Sequence, residues 1–452
     1  MAPRIKNMTE GRPLSLIVTF ALPLMLGNIF QQLYTVVDTM VVGKALGVDA
    51  LAALGATDWL YWMVLGMIQG VTQGFAILMA KEFGAKRHES LRSVIGCSAS
   101  LAAVCAALFL AASHLAARPA LTLLNTPNEI MGDALLYLRI MFSGLPIVMA
   151  YNLLACILRS LGDSRTPLNA MIVAALTNIA LDLLFVLIFR WGIAGAAAAT
   201  LIAQFCSSVF CFLRLRKIDF LAMKREHFQP RSQLSLRLLS LGWPMALQNV
   251  MIAVGGMIIQ TVVNGYGVAF IAGFTATNKL YGVLEVAATS YGYAMITYVG
   301  QNLGANRLDR IRSGMRCAIL VAIATSAVIG TAMILLGESV VSLFISGTPA
   351  EVAQATDTAY RYLVIMSLCL PVLYILHVTR SAVQGAGNTV LPMVSGIAEF
   401  FMRTLGVLLL PPFIGETGIF IAEVLAWLGA DMILIPSYFI TLNQVTRQQL
   451  RD

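Results

Sequence analysis

The 452-residue chain has few charged residues. Asp, Glu, Lys and Arg make up 12% of the sequence, whereas about 25% is usual for a soluble domain. Hydrophobic residues account for 59%, and the mean hydropathy is +0.82. So little charge does not suffice to cover the surface of a water-soluble globule of this length. The composition therefore excludes a soluble globular protein and predicts a chain that crosses a membrane many times.

Residues that build metal centres and cofactor sites are scarce and scattered. No cysteines have zinc-site or disulfide spacing, and no glycine-rich phosphate loop with its lysine is present. A polytopic membrane enzyme such as a prenyl transferase would need paired Asp-rich motifs or clustered histidines, so it stays a minor alternative. We expect no enzymatic activity, no cofactor and no ATP-driven pumping. The residues concerned are His88, His114, His227 and His377, and Cys97, Cys105, Cys156, Cys206, Cys211, Cys317 and Cys369.

Long apolar runs recur along the chain. Each is near or above the length of about 20 residues that a helix needs to cross the hydrocarbon core of a bilayer. Strands of a β-barrel would alternate over roughly ten residues, and these runs are longer and evenly apolar. Since backbone polar groups must be satisfied internally in lipid, the pattern predicts twelve transmembrane helices. Their expected ranges are 14–43, 51–80, 94–117, 134–158, 168–190, 192–213, 236–264, 270–299, 314–337, 358–383, 391–410 and 416–441.

Basic residues fall mostly on one side of the predicted membrane. The odd-numbered junctions and the span ends beside them carry four, Lys44, Arg118, Arg190 and Arg361, while the two tails, the even-numbered junctions and the span ends beside them carry 23. Because cytoplasmic loops are enriched in Lys and Arg, we expect a multi-pass cell-membrane protein with both termini in the cytoplasm. These loops explain the net charge of +8, so no nucleic-acid partner is predicted. The first apolar run is too long for a cleavable signal peptide.

The two halves of the chain resemble each other. FALPLMLGN (20–28) aligns with LGWPMALQN (241–249) at an offset of 221 residues, and FGAKRHESLRS (83–93) with LGANRLDRIRS (303–313) at 220. Six helices are an even number, so both copies enter the membrane in the same orientation, as in parallel-repeat transporters. The expected organisation is a cytoplasmic tail over 1–13, an N-lobe over 14–213, a cytoplasmic basic linker over 214–235, a C-lobe over 236–441 and a cytoplasmic tail over 442–452.

Each predicted lobe has a proline inside its first helix. Pro23 and Pro244 occupy equivalent positions, and proline within a helix removes a backbone hydrogen bond and bends the helix. The bend is either a static kink needed for packing or a hinge that moves during transport. Both residues are therefore hinge candidates.

Polar side chains in the N-lobe spans form a candidate ion site. A carboxylate at the bilayer centre costs about 2.5 to 3.5 kcal/mol unless it is paired, protonated or hydrated, and this applies to Asp38 and Asp182. Asn178 lies four residues before Asp182 on the same helix face, and Thr200 ends the small-residue run of the sixth span. If these helices pack together, four oxygen-bearing side chains converge. They suit Na⁺ and, because two carboxylates are adjacent, equally a proton; plain interhelical hydrogen bonding is the alternative.

The C-lobe does not repeat this cluster. At the offset of 221 residues Asp38 aligns with Ile259. A third match, LRIMFSGLP (138–146) with LVIMSLCLP (363–371), has an offset of 225 residues, at which Asn178 aligns with Arg403; the first C-lobe span contains no acidic residue. Arg403 lies four residues after Glu399, so these two side chains are expected to form an ion pair. The ion-coupling site is therefore predicted in the N-lobe alone.

Further polar and aromatic side chains in the spans are candidates for a substrate cavity. Lys279 and Glu285 are six residues apart on different faces of the eighth span, so each needs a partner elsewhere. The 22 methionines suit promiscuous binding, although membrane cores contain methionine in any case. The cavity candidates are Gln31, Tyr34, Tyr61, Lys279, Tyr281, Glu285 and Tyr291.

Motifs along the whole chain resemble the multidrug and toxic compound extrusion (MATE) family. The resemblance implies a V-shaped pair of six-helix lobes that exports amphipathic, often cationic compounds in exchange for H⁺ or Na⁺. We expect small amphipathic substrates, the lipid bilayer as the other partner, and a monomer. The motifs, in the order of the family, are PLMLGNIFQQLYTVVDTMVVG, AKEFGAKRHESLRS, LPIVMAYNLLACILRSLGDSRTP, TNIALD, VGQNLGANR and IAEVLAW.

The N-lobe site is most similar to that of the DinF-like branch of the family. There the functional residues are an Asp of the first helix, an Asn and an Asp of the fifth and a Thr of the sixth. They map onto Asp38, Asn178, Asp182 and Thr200. A NorM-like branch uses C-lobe carboxylates, including one on the first C-lobe helix, where this sequence has none; Glu285, Glu423 and Asp431 remain candidates for a C-lobe cation site.

Two other transporter classes are alternatives. A lipid or lipid-linked-precursor flippase of the same superfamily would share the two-lobed architecture and would be expected to have a more cationic cavity. A major facilitator carrier also has six plus six helices, but the loop KEFGAKRHESLR lacks the acidic-basic signature of that class.

Overall fold

The computed structural model describes residues 5–342, 345 and 348–449 of the chain. Residues 1–4 and 450–452 of the two predicted tails lie outside the described residues. Within the described ranges the regular structure is helical, without strands, which confirms the all-α fold class. The helices are α1 (Pro13–Leu46), α2 (Val48–Gly84), α3 (His88–Leu123), α4 (Asn128–Ser143), α5 (Leu145–Ser160), α6 (Arg165–Asp182), α7 (Gly192–Leu215), α8 (Ser232–Val263), α9 (Val268–Gly304), α10 (Leu308–Ser342), α11 (Pro349–Gly385), α12 (Val390–Leu409), α13 (Pro411–Ile414) and α14 (Thr417–Gln449).

The long helices coincide with the predicted membrane spans. Ten of them are long and apolar enough to cross a membrane, and the bent pair α4–α5 provides an eleventh span. The predicted eighth span is α9, which has 37 residues but is less apolar, since it carries Lys279, Glu285 and several tyrosines. The part of the chain that the structure describes thus has the twelve-span, two-repeat architecture expected from the sequence.

The fourth predicted span is broken in the first half of the chain and continuous in the second. Helices α4 and α5 meet at Gly144 with a bend of 46°. Pro146 lies in the first turn of α5, where its missing N–H breaks no helical hydrogen bond. The equivalent proline of the second half, Pro371, lies inside the uninterrupted helix α11.

The helix type changes directly after Asp182. Helix α6 ends at this residue, and a π-helical segment, Leu183–Ile188, completes the fifth span. Such wider turns are rare and often occur at functional sites. The corresponding span of the second half is α12, which is followed by the single turn α13.

The internal repeat extends to the backbone conformation of the turns. Gly162 and Gly387 follow equivalent helices and have φ of +84° and +91°. Lys86 and Asn306 occupy equivalent positions after α2 and α9, and their φ values are 58° and 56°. The same left-handed conformation at matched positions shows that the two halves use the same turns.

The described residues divide into two compact units. The N-unit consists of residues 5–10 and 22–250, and the C-unit consists of residues 11–21 and those from 251 onwards. This division differs from the predicted lobes within α1 and α8, because the first part of each helix belongs to the opposite unit. In α1 the unit changes between residues 21 and 22, next to Pro23.

The predicted basic linker, 214–235, folds onto α3 within the N-unit. His227 is buried, and its Nε2 donates a hydrogen bond to Glu89 at 2.8 Å, while its Nδ1 accepts one from the backbone N–H of Lys224 at 2.9 Å. The bond from His227 lowers the pKa of the Glu89 carboxyl. Glu89, Glu226 and His227 are close enough to ligate one ion. Because both imidazole nitrogens already have protein partners, we assign this trio to linker docking and not to a metal.

Helices α2 and α8 approach closely within the N-unit. A Cβ atom at Gly70 would overlap the backbone of Ala246, and one at Gly74 would overlap the backbone of Gly242. Glycines spaced four apart on α2 therefore form the surface that receives α8, as small residues do in membrane helix packing.

We predict that Gly74→Ala destabilises the protein by about 1–3 kcal/mol, because an overpacked backbone contact cannot relax through a side chain. Gly55→Ala on the same helix is the control, since a Cβ there has no atom within 4 Å. The apparent Tm in detergent should fall for Gly74→Ala and stay near wild type for Gly55→Ala. Equal Tm values for the two variants would contradict the close contact.

Candidate ion-binding site

One face of α1 carries polar side chains in the N-unit. Gln31 and Tyr34 lie seven and four residues before Asp38, so the three share a face. Asp38 is 9% exposed, and the Tyr34 hydroxyl lies close enough to Asp38 and Asp182 to interact electrostatically with both carboxyls.

Helices α6 and α7 bring the other predicted residues to the same place. Asn178 and Asp182 are both fully buried on one face of α6. Asn178 Nδ2 donates a hydrogen bond to Oγ1 of Thr200 on α7 at 3.3 Å. The structure therefore brings Asp38, Asn178, Asp182 and Thr200 together in one cluster.

The two carboxyl groups of this cluster face each other. Asp38 and Asp182 lie within hydrogen-bonding reach of one another. A hydrogen bond between two carboxyls needs a proton on one of them, because ionised carboxylates only accept. As carboxylates, Oδ1 of Asp38 and both oxygens of Asp182 find no donor among the described residues. The pair is therefore incomplete without a proton or a cation.

The amide oxygen of the cluster is also available. Because Asn178 uses its NH₂ group as the donor to Thr200, its Oδ1 is left buried with no donor in the described part of the chain. Buried polar atoms without partners are rare in proteins and call for an explanation. Carboxylate, amide and hydroxyl oxygens are what a hard monovalent cation prefers. The geometry can thus hold H⁺ between the carboxyls or Na⁺ among the oxygens.

Two neighbouring groups extend the cluster and were missed from the sequence. Gln204 lies four residues after Thr200 on α7, and its side chain interacts with the hydroxyl of Tyr61. Tyr137 of α4 is 9% exposed and close to Asp38. The i, i+4 spacing from Thr200 would have indicated Gln204, whereas no pattern in the sequence marks Tyr137.

The C-unit contains an ion-pair network at the equivalent level of the repeat. The predicted pair Glu399–Arg403 is present at 3.1 Å, and Arg403 also contacts Glu423 at 3.0 Å. Arg380 pairs with Glu399 at 2.7 Å. Arg380 lies near the end of the predicted span 358–383 and was not predicted to belong to this network; it is 7% exposed inside α11.

The cavity candidates of the C-unit have different surroundings. The Glu285 carboxylate lies 3.2 Å from His377, whereas Lys279 is exposed. Tyr281 stacks on Trp427 with ring centroids 6.0 Å apart. A further candidate, Tyr291, is buried and its hydroxyl hydrogen-bonds to Thr325 on α10 at 2.9 Å.

Fold and site together define a multi-pass helical membrane protein made of two parallel repeats, with a buried pair of neighbouring carboxyls, Asp38 and Asp182, in the first of them. The MatE family model matches residues 23–184 and again 244–407. The two matches cover the two repeats separately. The chain belongs to the MatE family.

Named relatives are similar along nearly the whole chain. The probable multidrug resistance protein YpnP of Bacillus subtilis is 29% identical over 91% of this chain and 92% of its own. The multidrug export protein MepA of Staphylococcus saprophyticus is 23% identical and covers 92% of each chain. The probable multidrug resistance protein NorM of Thermotoga maritima is 25% identical over 84% of this chain and 81% of its own.

Solved structures share the fold. A transporter of the MOP superfamily from Pyrococcus furiosus superposes with a TM-score of 0.90 at 21% identity over 99% of both chains. A MATE structure in the bent conformation has a TM-score of 0.88 at 20% identity, over 100% of this chain and 99% of its own. These similarities establish the MATE fold for the chain.

We predict that Glu399→Gln destabilises the protein by about 3–5 kcal/mol, because it leaves two buried arginines without a full counter-charge. Glu416→Gln removes a partly exposed partner of Arg361, at 3.5 Å, and should cost about 1 kcal/mol or less. The readout is the apparent Tm of the purified variants. A Tm for Glu399→Gln as high as that of Glu416→Gln would show that the network contributes little.

Proposed function

We propose that the protein is a secondary active exporter of small amphipathic, often cationic compounds, driven by exchange for H⁺ or Na⁺. The observation that carries the proposal is the Asp38–Asp182 pair, which is buried in the membrane without a basic partner in the N-unit cluster. Relatives named as multidrug resistance or export proteins support the substrate class. A transport protein needs no catalytic group, and we propose no enzymatic activity and no cofactor.

The carboxyl pair gives the exporter two electrostatic states. With a bound proton or Na⁺, the negative charges of Asp38 and Asp182 are partly neutralised, and α1 and α6 can stay in contact. Without the ion, both carboxylates are charged at short range and repel each other in a medium of low dielectric constant. An ion that binds one state more tightly than the other shifts the equilibrium between them.

Helix α1 is the element that we propose to respond. Its residues change from the C-unit to the N-unit next to Pro23, fifteen positions before Asp38. A bend at this proline would let the ion state at Asp38 alter the course of α1. In this proposal Pro23 is a hinge of alternating access, and Pro244 inside α8 is its counterpart in the repeat.

Side chains of α6 and α7 complete the proposed ion site. Asn178 and Thr200 would contribute oxygens to Na⁺, or orient the carboxyl that carries the proton. We also propose that the exported compound contacts the cavity candidates, which are Gln31, Tyr34 and Tyr61 of the N-unit and Lys279, Tyr281, Glu285 and Tyr291 of the C-unit.

We further propose a monomer in the cell membrane with both termini in the cytoplasm, as the basic loops indicate.

A lipid-precursor flippase is the second candidate. For a transporter of the same fold from Pyrococcus furiosus, the reverse polarity of its binding pocket is described as suggesting a different function. Recognition of a lipid phosphate would need cations without counter-ions. Here Arg380 and Arg403 are occupied by Glu399 and Glu423, so the exporter is favoured.

The export test uses everted vesicles with a cationic dye in the outer medium, which faces the cytoplasmic side, and with either H⁺ or Na⁺ concentrated in the lumen. We predict that wild type moves the dye under one gradient and that Asp38→Asn and Asp182→Asn each lose about ten-fold or more of this transport. Asp133→Asn changes an exposed carboxyl of α4 and serves as the control.

Uphill transport by Asp38→Asn at the wild-type rate would contradict the coupling role. Movement of a fluorescent lipid precursor instead of the dye would favour the flippase. In every arm, the amount of variant protein in the membrane is matched to wild type before rates are compared.

A further inference from the structure

Three helices of the C-unit bring together six ionisable side chains that are buried or partly buried. Helix α11 contributes His377 and Arg380, which are three residues apart, and α12 contributes Glu399 and Arg403, which are four apart. Helix α14 contributes Glu423 and, eight residues later on the same face, Asp431. We call these six residues the C-unit cluster.

Four members of the cluster neutralise each other. Arg380 Nη2 donates to Glu399 at 2.7 Å, and Arg403 Nη2 donates to the other oxygen of Glu399 at 3.1 Å. Arg403 Nε donates to Glu423 at 3.1 Å. Two guanidinium groups and two carboxylates sum to no net charge, so this part of the cluster can remain ionised in the membrane.

Asp431 is a fifth charge that has no cation of its own. It is 7% exposed, and its Oδ1 has no hydrogen-bond donor among the described residues. The charged groups that act on it are Arg380, which attracts a carboxylate, and Glu399, which repels one. Helix α13 also packs against α14 and contains no ionisable residue. An ionised Asp431 therefore gives the cluster one uncompensated negative charge, which is costly within the membrane.

Helix α11 carries a buried hydrogen-bond donor that has no acceptor among the described residues. Arg380 uses Nη2 for Glu399, while its buried Nε has no acceptor in the part of the chain that the structure describes. A buried donor and a buried acceptor without partners in one cluster are each expensive. Both would be satisfied if the carboxylate of Asp431 accepted from Nε of Arg380, and neither is satisfied in the present arrangement.

The nearby histidine does not remove the excess charge. His377 lies 3.2 Å from Glu285, and the side chains are 16% and 33% exposed. When the imidazole carries a proton, it compensates Glu285, and when it does not, it compensates nothing. In neither state is a positive charge left for Asp431.

We propose that Asp431 is a binding site for one exchangeable proton in the C-unit, separate from the Asp38–Asp182 pair. In the loaded state a proton from water forms an O–H bond with the Asp431 carboxyl, and the cluster is neutral. On release the proton returns to water, and the carboxylate pairs with Nε of Arg380. This site lies on the last helix and does not require an acid on the first C-lobe span. It does not depend on the proposed export.

The test is infrared difference spectroscopy of the purified full chain in lipid nanodiscs, titrated with pH. Asp38→Asn/Asp182→Asn is the background, so that the N-unit carboxyls do not contribute to the C=O band of protonated carboxyls. We expect a buried C=O band that titrates in this background and is lost when Asp431→Asn is added. Absence of such a band, or its persistence with Asp431→Asn, would overturn the proposal.

A second variant separates proton binding from a structural role. Arg380→Gln removes the cation that favours the carboxylate, so the band should titrate at a pH higher by about one unit or more. The control is Arg380→Gln/Asp431→Asn, in which the shifted band should be absent. An unchanged midpoint in Arg380→Gln, or the same shifted band in the control, would show that another carboxyl is responsible.

Discussion

A charge inside the hydrocarbon layer has to be neutralised, and this requirement organises both halves of the protein. The C-unit meets it with permanent cations: Arg380 and Arg403 compensate Glu399 and Glu423 at distances of 2.7 to 3.1 Å. Among the described residues of the N-unit cluster there is no such cation, and the buried oxygens of Asp38 and Asp182 find no donor there. The neutrality of the N-unit cluster therefore depends on a proton or a cation that can bind and dissociate. This is the basis for assigning ion coupling to the N-unit.

The two arrangements occupy related places in one repeated framework. Asn178 and Arg403 align at the repeat offset, and both project from the helix that follows the glycine turns at Gly162 and Gly387. Several exchanges, among them Arg403 for Asn178 and Ile259 for Asp38, replace the oxygen cluster of the first half by an ion-pair network in the second. The framework can remain constant, since glycine turns and helix packing do not depend on which polar group is present. The two halves therefore share their helices and turns, and the polar side chains at aligned positions determine which half can bind an ion.

The sequence predicted the architecture because hydropathy and the repeat are properties of long segments. It also predicted the convergence of Asn178, Asp182 and Thr200, since helical spacing and span order are sufficient for that inference. It missed the burial of Arg380, because the helix extends past the expected span end and a cation near a boundary resembles a loop residue. The break at Gly144 and the π-helical segment after Asp182 depend on tertiary packing, so no local pattern indicated them. The position of Tyr137 close to Asp38 could likewise not be predicted from the sequence.

The central claim is that the Asp38–Asp182 pair holds an exchangeable ion whereas the arginine network stays ionised. The most direct measurement is the number of protons taken up by the purified protein as the pH is lowered from mildly alkaline to mildly acidic, with and without Na⁺. The account predicts that Asp38→Asn/Asp182→Asn takes up about one proton fewer than wild type, or that wild type alone releases protons on addition of Na⁺. Identical proton uptake by wild type and the double variant, with no response to Na⁺ in either, would contradict it.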